Sequence, residues 1–285
     1  MNTAKKILLY DAECPLCEAY SSAFIKAGLL GADERRTFSS LGGDAFMGRV
    51  DSARQGNEIP LVDVNGGATI YGVDALLHLL GRRWPLVQRV FGNGAMRWLA
   101  GRMYSFISDN RRIILARRYA TLAHNCAPQF RLQRRVRFIV FCVCVAVLIT
   151  TALGAGLAHA LGQQTTHTVL AALLACGAGW ILQMTAALAS LRRSVWDYWG
   201  HLAMLQLLGV LVLLPGIAWL FAAPASGLFA IAACIAASSS IMLRGHIRRA
   251  ALLGLSQRWT VLWAALLLST AAATTYFYIN FIYSV

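Results

Sequence analysis

Two cysteines separated by two residues, Cys14 and Cys17, are the residues whose types and spacing most clearly indicate chemistry. They follow a short apolar stretch typical of a buried strand and precede a helical pattern. A cysteine at the first turn of a helix lies at the positive end of the helix dipole, which lowers the pKa of Cys14 and favours the thiolate that attacks disulfides. Cys17 is near enough to resolve the mixed disulfide that results. The motif predicts a redox-active dithiol with no separate cofactor.

Zinc binding is the alternative chemistry for the same two cysteines. A closed zinc site needs four ligands, commonly including a second pair of cysteine or histidine residues. The other candidates in the first half of the chain are His78, His124 and Cys126, whose spacing is not that of a ligand pair. We therefore predict that the cysteine pair is used for redox chemistry and binds no metal. His78 is expected to lie on a helix, either at the surface or in the protein core with its hydrogen bonds satisfied.

Composition divides the chain of 285 residues, 58% of them hydrophobic and 13% charged, into two unlike parts. Residues 1–135 have the composition of a soluble domain with a basic tail, whereas residues 136–285 contain long apolar runs typical of membrane spans. The apolar run Ile7–Tyr10 is short and leads into acidic and polar residues, so we expect no signal peptide. The seven cysteines are odd in number and mostly lie in the apolar part, which does not fit a secreted disulfide framework.

The order of local patterns over residues 1–84 predicts an α/β thioredoxin-like domain that carries the dithiol. The predicted elements are a strand at Lys6–Tyr10, a helix from Glu18 to about Leu30, a weak strand at Thr37–Ser39, a helix over Phe46–Arg54, two strands at Ile59–Val64 and Ala68–Tyr71 around Asn65-Gly66, and a helix opened by Gly72-Val73-Asp74. An Asn-Gly pair between two strand patterns predicts a hairpin. Asp74 is the expected cap of the last helix.

Pro60 precedes the hairpin strand, where a thioredoxin-like fold has a cis-proline packed against its cysteine pair. Proline is the residue for which the cis bond is inexpensive, and its missing N–H leaves the neighbouring backbone free to pair with a polypeptide substrate. The alternative is that Pro60 only begins an edge strand. We predict the active-site role because the cysteine pair lies upstream and the hairpin downstream.

Three separated motifs resemble those of the DCC family of predicted thiol–disulfide oxidoreductases. The motifs are Tyr10-Asp11-x-x-Cys14-Pro15-Leu16-Cys17, Gly72-Val73-Asp74-Ala75-Leu76, and Tyr104 followed by Asn110-Arg111, within about residues 5–118. The resemblance implies a thioredoxin-like fold and a redox dithiol, with Asp11, Cys14 and Cys17 as the family's Asp and two Cys. Its substrate would be a protein or small molecule that carries a thiol or disulfide. Ala12 stands where the family usually has glycine, and a positive φ there would cost alanine about 1 kcal/mol.

Asp11 has two interpretations. It either caps the helix of the cysteine pair or the turn before it, or it accepts a proton during thiol exchange. A carboxylate near Cys14 raises the pKa of a thiol, so Asp11 is not a simple activator. Capping is the favoured interpretation, and both remain open from the sequence.

Residues 85–135 form a basic amphipathic extension that is predicted to be helical and interfacial. Thirteen arginines fall within residues 82–137 against a single acid, Asp109. Because this segment adjoins the first predicted span, anionic lipid headgroups are the predicted partner, and nucleic acid is not. Packing of the same apolar residues on the soluble core is the alternative, and both can hold.

The membrane domain, residues 136–285, is predicted to be all-α with about five transmembrane helices. The spans are predicted at about 136–161, 168–191, 201–222, 227–243 and 259–283. Arginines follow the second and fourth spans, whereas the first-to-second and third-to-fourth connections have no lysine or arginine. The positive-inside rule therefore predicts an integral protein of a bacterial-type inner or plasma membrane, with a cytoplasmic N-terminal domain and the C-terminus outside.

The polar residues within the spans indicate packing more than transport. The expected interhelical hydrogen-bonding groups are Gln183, Gln206, Ser238-Ser239-Ser240 and Asn280. Haem ligation is a weak alternative for the histidines, which lie near the membrane interfaces: His159, His167, His201 and His246. The cysteines differ in depth and are expected to be small buried residues, not a relay across the bilayer: Cys142, Cys144, Cys176 and Cys234.

Three hypotheses of function follow. The first is a membrane-anchored thiol–disulfide oxidoreductase that acts through cytoplasm-facing Cys14 and Cys17. The second is an accessory or assembly subunit of a membrane complex, with a structural or metal-handling cysteine pair, since five spans exceed what anchoring requires. The third, disfavoured by the cysteine depths, is a transmembrane electron carrier that uses quinone or cysteines.

Overall fold

The computed structural model describes residues 6–12, 14–41, 47–116 and 130–284. The chain divides into two compact units, Met1–Arg134 and Arg135–Val285. The N-terminal unit combines a small sheet with helices, and the C-terminal unit consists of long apolar helices.

A four-stranded mixed sheet forms the centre of the N-terminal unit. Its strands are β1 (Lys6–Tyr10), β2 (Arg35–Thr37), β3 (Pro60–Asp63) and β4 (Ile70–Tyr71), in the order β2-β1-β3-β4. β1 is parallel to β2 and antiparallel to β3, and β3 is antiparallel to β4. The parallel pair is joined through helix α1 (Pro15–Lys26), as a crossover connection requires. This arrangement confirms the predicted α/β thioredoxin-like fold.

β1 is buried on both faces, and its side chains alternate between two hydrophobic clusters. Ile7 and Leu9 pack with Phe38 and Val62 on one face. Leu8 packs on the other face with a cluster drawn from the strands and from the helices that cover them, namely Leu30, Ile59, Leu61, Ala75, Leu79, Tyr20, Phe24 and Tyr104. The second cluster fixes α1, and therefore the cysteine pair, against the sheet.

Some predicted boundaries differ from the structure. The second strand is Arg35–Thr37 and so ends where the prediction began. A single helix over Phe46–Arg54 is wrong: a 3₁₀ turn at Met47–Arg49 precedes the short helix α2 (Ser52–Gln55), and Phe46 lies outside the described residues. The side chain of Asp51 starts α2 by accepting the Ala53 N–H at 2.8 Å, which separates the two pieces.

Helix α3 (Gly72–Arg83) begins earlier than the prediction of an Asp74 cap requires. Its N-cap is Tyr71, because Gly72 adopts a φ of +60° that lets the chain turn directly from β4 into the helix. Asp74 instead lies in the first turn, where the helix dipole stabilises a carboxylate. Its side chain pairs with Arg97 at 2.8 Å.

Two further helices, α4 (Pro85–Phe91) and α5 (Gly94–Leu115), complete the N-terminal unit. One face of α5 packs on the core through Tyr104, Ser108 and Arg111. Large apolar side chains of α4, α5 and the residue before α4 are exposed: Trp84, Leu86, Val90, Met96, Trp98, Leu99, Met103 and Ile107. One side of the segment therefore packs on the core, as one alternative predicted, and the other side presents apolar surface.

Five helices of the C-terminal unit are long and apolar enough to cross a membrane. They are α6 (Leu132–Leu161), α7 (Thr165–Ser190), α8 (Val195–Ala222), α9 (Pro224–Leu252) and α10 (Gln257–Ser284). α8 packs along α9 and α7 along α10. A side-chain carbon at Gly179 would lie 2.7 Å from the carbonyl oxygen of Leu266, so a glycine is needed where α7 approaches α10.

Buried polar side chains join the helices of this unit. Gln183 Nε2 donates to the hydroxyl of Tyr198 at 2.7 Å, and that hydroxyl lies 3.0 Å from His246 Nε2. The other ring nitrogen of His246 lies 3.0 Å from Thr260 Oγ1. Ser238 Oγ donates to the carbonyl of Gly209 at 2.9 Å. The predicted interhelical role is confirmed for Gln183 and Ser238, whereas Asn280 bonds within its own helix.

Candidate active site

The cysteine pair lies where β1 ends and α1 begins. The main-chain carbonyl of Asp11 accepts the Cys14 N–H at 3.1 Å and closes the turn between the two elements. Cys14 is the N-cap residue of α1, Pro15 occupies the first turn, and Cys17 is one turn into the helix. The prediction that places the pair at a helix start is therefore confirmed. Asp11 is buried but does not occupy the N-cap position, because the extra turn moves the helix start to Cys14.

Both cysteines are free thiols and are almost fully buried, with 0% of Cys14 and 2% of Cys17 exposed. The two side chains hydrogen-bond to each other, and this contact, followed by burial and the charge on Cys14, raises the pKa of Cys17. The hydroxyl of Tyr20 and the charge of Arg111 act in the opposite direction. Cys17 thus holds its proton more firmly when Cys14 is charged, which suits attack by Cys14 and later resolution by Cys17.

Arg111 brings a positive charge to this dithiol from a distant part of the chain. Its side chain is 4% exposed, and Nη2 donates to the main-chain carbonyl of Gly56 at 2.7 Å. A buried guanidinium favours a nearby thiolate over the neutral thiol. Arg111 was not among the predicted site residues, although it belongs to a motif that carried the family resemblance. That membership is the one sequence signal for its role.

Tyr104 links α5 to the loop before Pro60. Its hydroxyl accepts the Ile59 N–H at 3.1 Å. Burial raises the pKa of Tyr104, so the phenol stays protonated at neutral pH. A side-chain carbon on Gly72 would lie 3.3 Å from Tyr104 Cε1 and 3.4 Å from Glu58 Cγ. The three motifs that are separated in sequence therefore meet around the cysteine pair.

Pro60 begins β3 and is buried. β1 and β3 pair with Leu8 opposite Leu61, and the same register places Pro60 opposite Leu9, next to the end of β1 from which the cysteine motif follows. The expectation of a cis bond is wrong, because the Ile59–Pro60 bond is trans, the isomer that is ordinarily favoured, and leads directly into the extended strand.

Ala12 lies outside the left-handed region, because Ala116 is the non-glycine residue with positive φ among those described. Alanine at this position therefore carries no penalty from a positive φ. The departure from the family pattern leaves the turn between Asp11 and Cys14 intact.

The alternative ligands for a metal do not surround the cysteine pair in the part of the chain that the structure describes. No group of three or more His, Cys, Asp and Glu side chains able to hold a metal ion occurs there. His78 is half-buried on α3, and burial, followed by the charges of Lys6 and Arg82, lowers its pKa. His124 and Cys126 lie outside the described residues.

The histidines and cysteines of the membrane unit are engaged in local packing. Both ring nitrogens of His246 have hydrogen-bonding partners, and Nδ1 of His201 lies 2.8 Å from an Arg249 nitrogen. His167 packs edge-on against Phe281 and His159 stacks on Phe221. The four cysteines are free thiols of unequal exposure: Cys142, Cys144, Cys176 and Cys234.

The N-terminal part of the chain is similar to a known protein family. Residues 8–117 match the family model described as DCC1-like thiol-disulfide oxidoreductase. The match includes the cysteine pair, Gly72, Tyr104 and Arg111, and it confirms the resemblance seen in the sequence. No curated protein and no solved structure matches the chain.

Proposed function

We propose that this protein is a membrane-anchored thiol–disulfide oxidoreductase whose Cys14 and Cys17 act on a disulfide of a protein or a small molecule. The observation that carries the proposal is the contact between two buried free thiols at a helix start, beside the buried guanidinium of Arg111. The family match over residues 8–117 supports a redox role. No further cofactor is proposed, because the dithiol itself supplies two electrons.

The proposed reaction has two exchange steps. The Cys14 thiolate attacks one sulfur of the substrate disulfide, which forms a mixed disulfide and expels the other sulfur as a thiolate. Cys17 then loses its proton and attacks the Cys14 sulfur, which releases the second substrate thiolate and leaves a Cys14–Cys17 disulfide. The substrate gains the two electrons that the dithiol loses. A separate thiol donor must reduce the enzyme again.

Asp11 and Pro60 have supporting roles in this proposal. The Asp11 side chain is 7% exposed, and its carboxylate receives the proton that Cys17 releases in the second step. Pro60 holds the start of β3 next to the end of β1, where a substrate approaches the dithiol. Neither residue supplies the nucleophile.

The proposed location has the N-terminal unit in the cytoplasm and the C-terminus outside, which the distribution of arginines supports. Anionic lipids are the proposed partners of the arginines within 82–137. Exposed Trp98 and Met103 lie on the same helix as Arg97 and Arg102, a combination typical of segments at a membrane interface. In a reducing cytosol the resting enzyme is the dithiol and reduces its substrate.

The Cys17→Ser variant tests the proposed reaction, because it stops after the first step. Exposure of this variant to cell extract is expected to leave a mixed disulfide on Cys14, and intact-mass spectrometry gives the mass of the attached thiol. The matched control, with both cysteines changed to serine, is expected to carry no adduct. Equal labelling of the two variants would contradict the proposal.

An accessory role in assembly of a membrane complex is the second candidate. The buried hydrogen bonds from Gln183 through Tyr198 and His246 to Thr260 favour it, because they join four helices into a specific unit that simple anchoring does not require. In this case the double serine variant supports normal cell function, whereas replacement of the five helices by an unrelated anchor does not. The oxidoreductase proposal expects the double serine variant to fail.

A further inference from the structure

Ile59, the residue before Pro60, is where the main chain would pair with an extended substrate. Both of its main-chain polar groups already have hydrogen-bonding partners within the protein. The N–H of Ile59 donates to the hydroxyl of Tyr104 at 3.1 Å. The carbonyl of Ile59 accepts the N–H of Gly72 at 2.9 Å. A polypeptide that adds as a strand needs a free N–H and a free carbonyl on the edge it joins. Ile59 offers neither.

Side chains of helix α5 also hydrogen-bond to the loop that leads to Ile59. Ser108 Oγ donates to the carbonyl of Asn57 at 2.5 Å, and Arg111 Nη2 donates to the carbonyl of Gly56 at 2.7 Å. Three side chains spaced along one face of α5 therefore bond to three consecutive sections of this loop. These bonds hold α5 against the backbone that leads to Ile59.

The loop lies close to the dithiol, so the hydrogen bonds that occupy its main chain bear on which substrates can reach the two thiols. β1 and β3 are antiparallel with Leu8 opposite Leu61, so the chain before Pro60 lies toward the end of β1 that leads to Cys14. Tyr104 contacts Ile59, and its pKa is raised by burial and, to a smaller extent, by a charge on nearby Cys17. Tyr104 is therefore close both to the dithiol and to the backbone on which a polypeptide would be held.

The burial of the two thiols also restricts what can reach them. Cys14 is 0% and Cys17 is 2% exposed, so any disulfide must enter a covered site. A small disulfide needs a small local opening. An extended polypeptide needs the same opening and, in addition, displacement of the Tyr104 and Gly72 hydrogen bonds from Ile59.

We propose that Tyr104 determines specificity by closing the Ile59 backbone to polypeptides, so that the enzyme acts on low-molecular-weight disulfides. This inference rests on the proposed oxidoreductase function and narrows its substrate class. It assigns to Tyr104 a role in selection, not in the exchange of thiols itself.

The test compares two probe disulfides on the full-length protein in detergent. The pre-reduced protein is mixed with bis(2-hydroxyethyl) disulfide or with insulin, and oxidation of its dithiol is followed by alkylation and mass spectrometry. Each rate is divided by the rate at which dithiothreitol reacts with the same probe, which removes their intrinsic difference in reactivity. The normalised rate is expected to favour the small disulfide by about a hundredfold, the effect of two main-chain hydrogen bonds.

The Tyr104→Phe variant removes only the hydroxyl that occupies the Ile59 N–H. Its preference for the small probe is expected to fall by about tenfold, the effect of one hydrogen bond, through faster reaction with insulin. Tyr71→Phe is the matched control, because the Tyr71 hydroxyl likewise accepts a main-chain N–H, that of Asp51 at 2.8 Å. This control is expected to keep the wild-type preference.

The outcomes separate the two proposals. Oxidation of wild-type protein by neither probe would contradict the oxidoreductase function itself. Equal normalised rates with both probes would support that function and overturn the assignment of small disulfides. If neither Tyr104→Phe nor Tyr71→Phe changes the preference for the small disulfide over insulin, the proposed role of Tyr104 is overturned.

Discussion

The Cys14→Ser variant is expected to reduce disulfides at least on the order of a thousandfold more slowly than wild type, because it lacks the attacking sulfur. A serine hydroxyl at this position is nearly isosteric but is not ionised at neutral pH and is a poor nucleophile toward sulfur. The fold is expected to persist, since the side chain of Cys14 contributes a small buried volume at the helix start. Single-turnover oxidation by bis(2-hydroxyethyl) disulfide measures the loss.

Cys142→Ser is the matched control for this variant. Cys142 is also a free thiol with 0% exposure, but it lies on α6 in the membrane unit. It is expected to leave the rate unchanged, because the proposed reaction uses no sulfur from that unit. A rate for Cys14→Ser within a fewfold of the control would show that another group attacks the disulfide.

The Arg111→Met variant is expected to react more slowly with an alkylating reagent at neutral pH. The Arg111 charge lowers the pKa of Cys17, in opposition to the larger effects of Cys14 and burial. Loss of the charge disfavours a thiolate in this site, so the pH profile of alkylation is expected to move to higher pH. Each unit of that shift reduces the thiolate fraction at pH 7 by roughly tenfold.

The same substitution is expected to lower the free energy of unfolding by about 1.5–3 kcal/mol, because it removes a buried charge-assisted hydrogen bond to Gly56. Arg111→Lys keeps the charge and is expected to restore much of the pH profile. Arg97→Met, on the same helix but exposed and paired with Asp74, is the control. If Arg111→Met and Arg97→Met have the same alkylation profile, the electrostatic role of Arg111 is refuted.

Local patterns were sufficient to predict the elements that carry the dithiol. The short apolar run Lys6–Tyr10 was predicted as a buried strand, and β1 has these boundaries. Its three central residues are buried. The placement of Cys14 and Cys17 at a helix start follows from the strand before them and the helical pattern after them. The five apolar helices were predicted for an equally local reason, which is the length of each apolar run.

The contacts that complete the site depend on positions far apart in sequence and have no local signature. Arg111 reaches the dithiol only because α5 packs on the loop at Gly56 and Ile59, more than forty residues earlier in the chain. Nothing in the spacing of α5 distinguishes its buried arginine from the exposed Arg97 and Arg102. The family resemblance singled out Tyr104 and Arg111, but their function required the fold.

The helix starts show a different reason for error. Asp74 is a residue type that commonly caps helices and was expected to cap α3 for that reason, whereas the sequence left open whether Asp11 caps the helix, caps the turn before it or accepts a proton. Gly72 starts α3 two residues earlier than Asp74, and Cys14 starts α1 three residues later than Asp11. The conformation of the preceding turn decides where each helix begins, and the Asp74 side chain pairs with Arg97 instead of capping α3.

A redox titration of the wild-type protein tests the dithiol most directly. The protein is equilibrated across a series of dithiothreitol redox buffers, quenched with an alkylating reagent, and digested for mass spectrometry. We expect one two-electron transition, after which the peptide that contains Cys14 and Cys17 is lighter by two hydrogens and resists alkylation. If both thiols remain alkylated under the most oxidising buffer, they do not form a redox pair, and the proposed function is wrong.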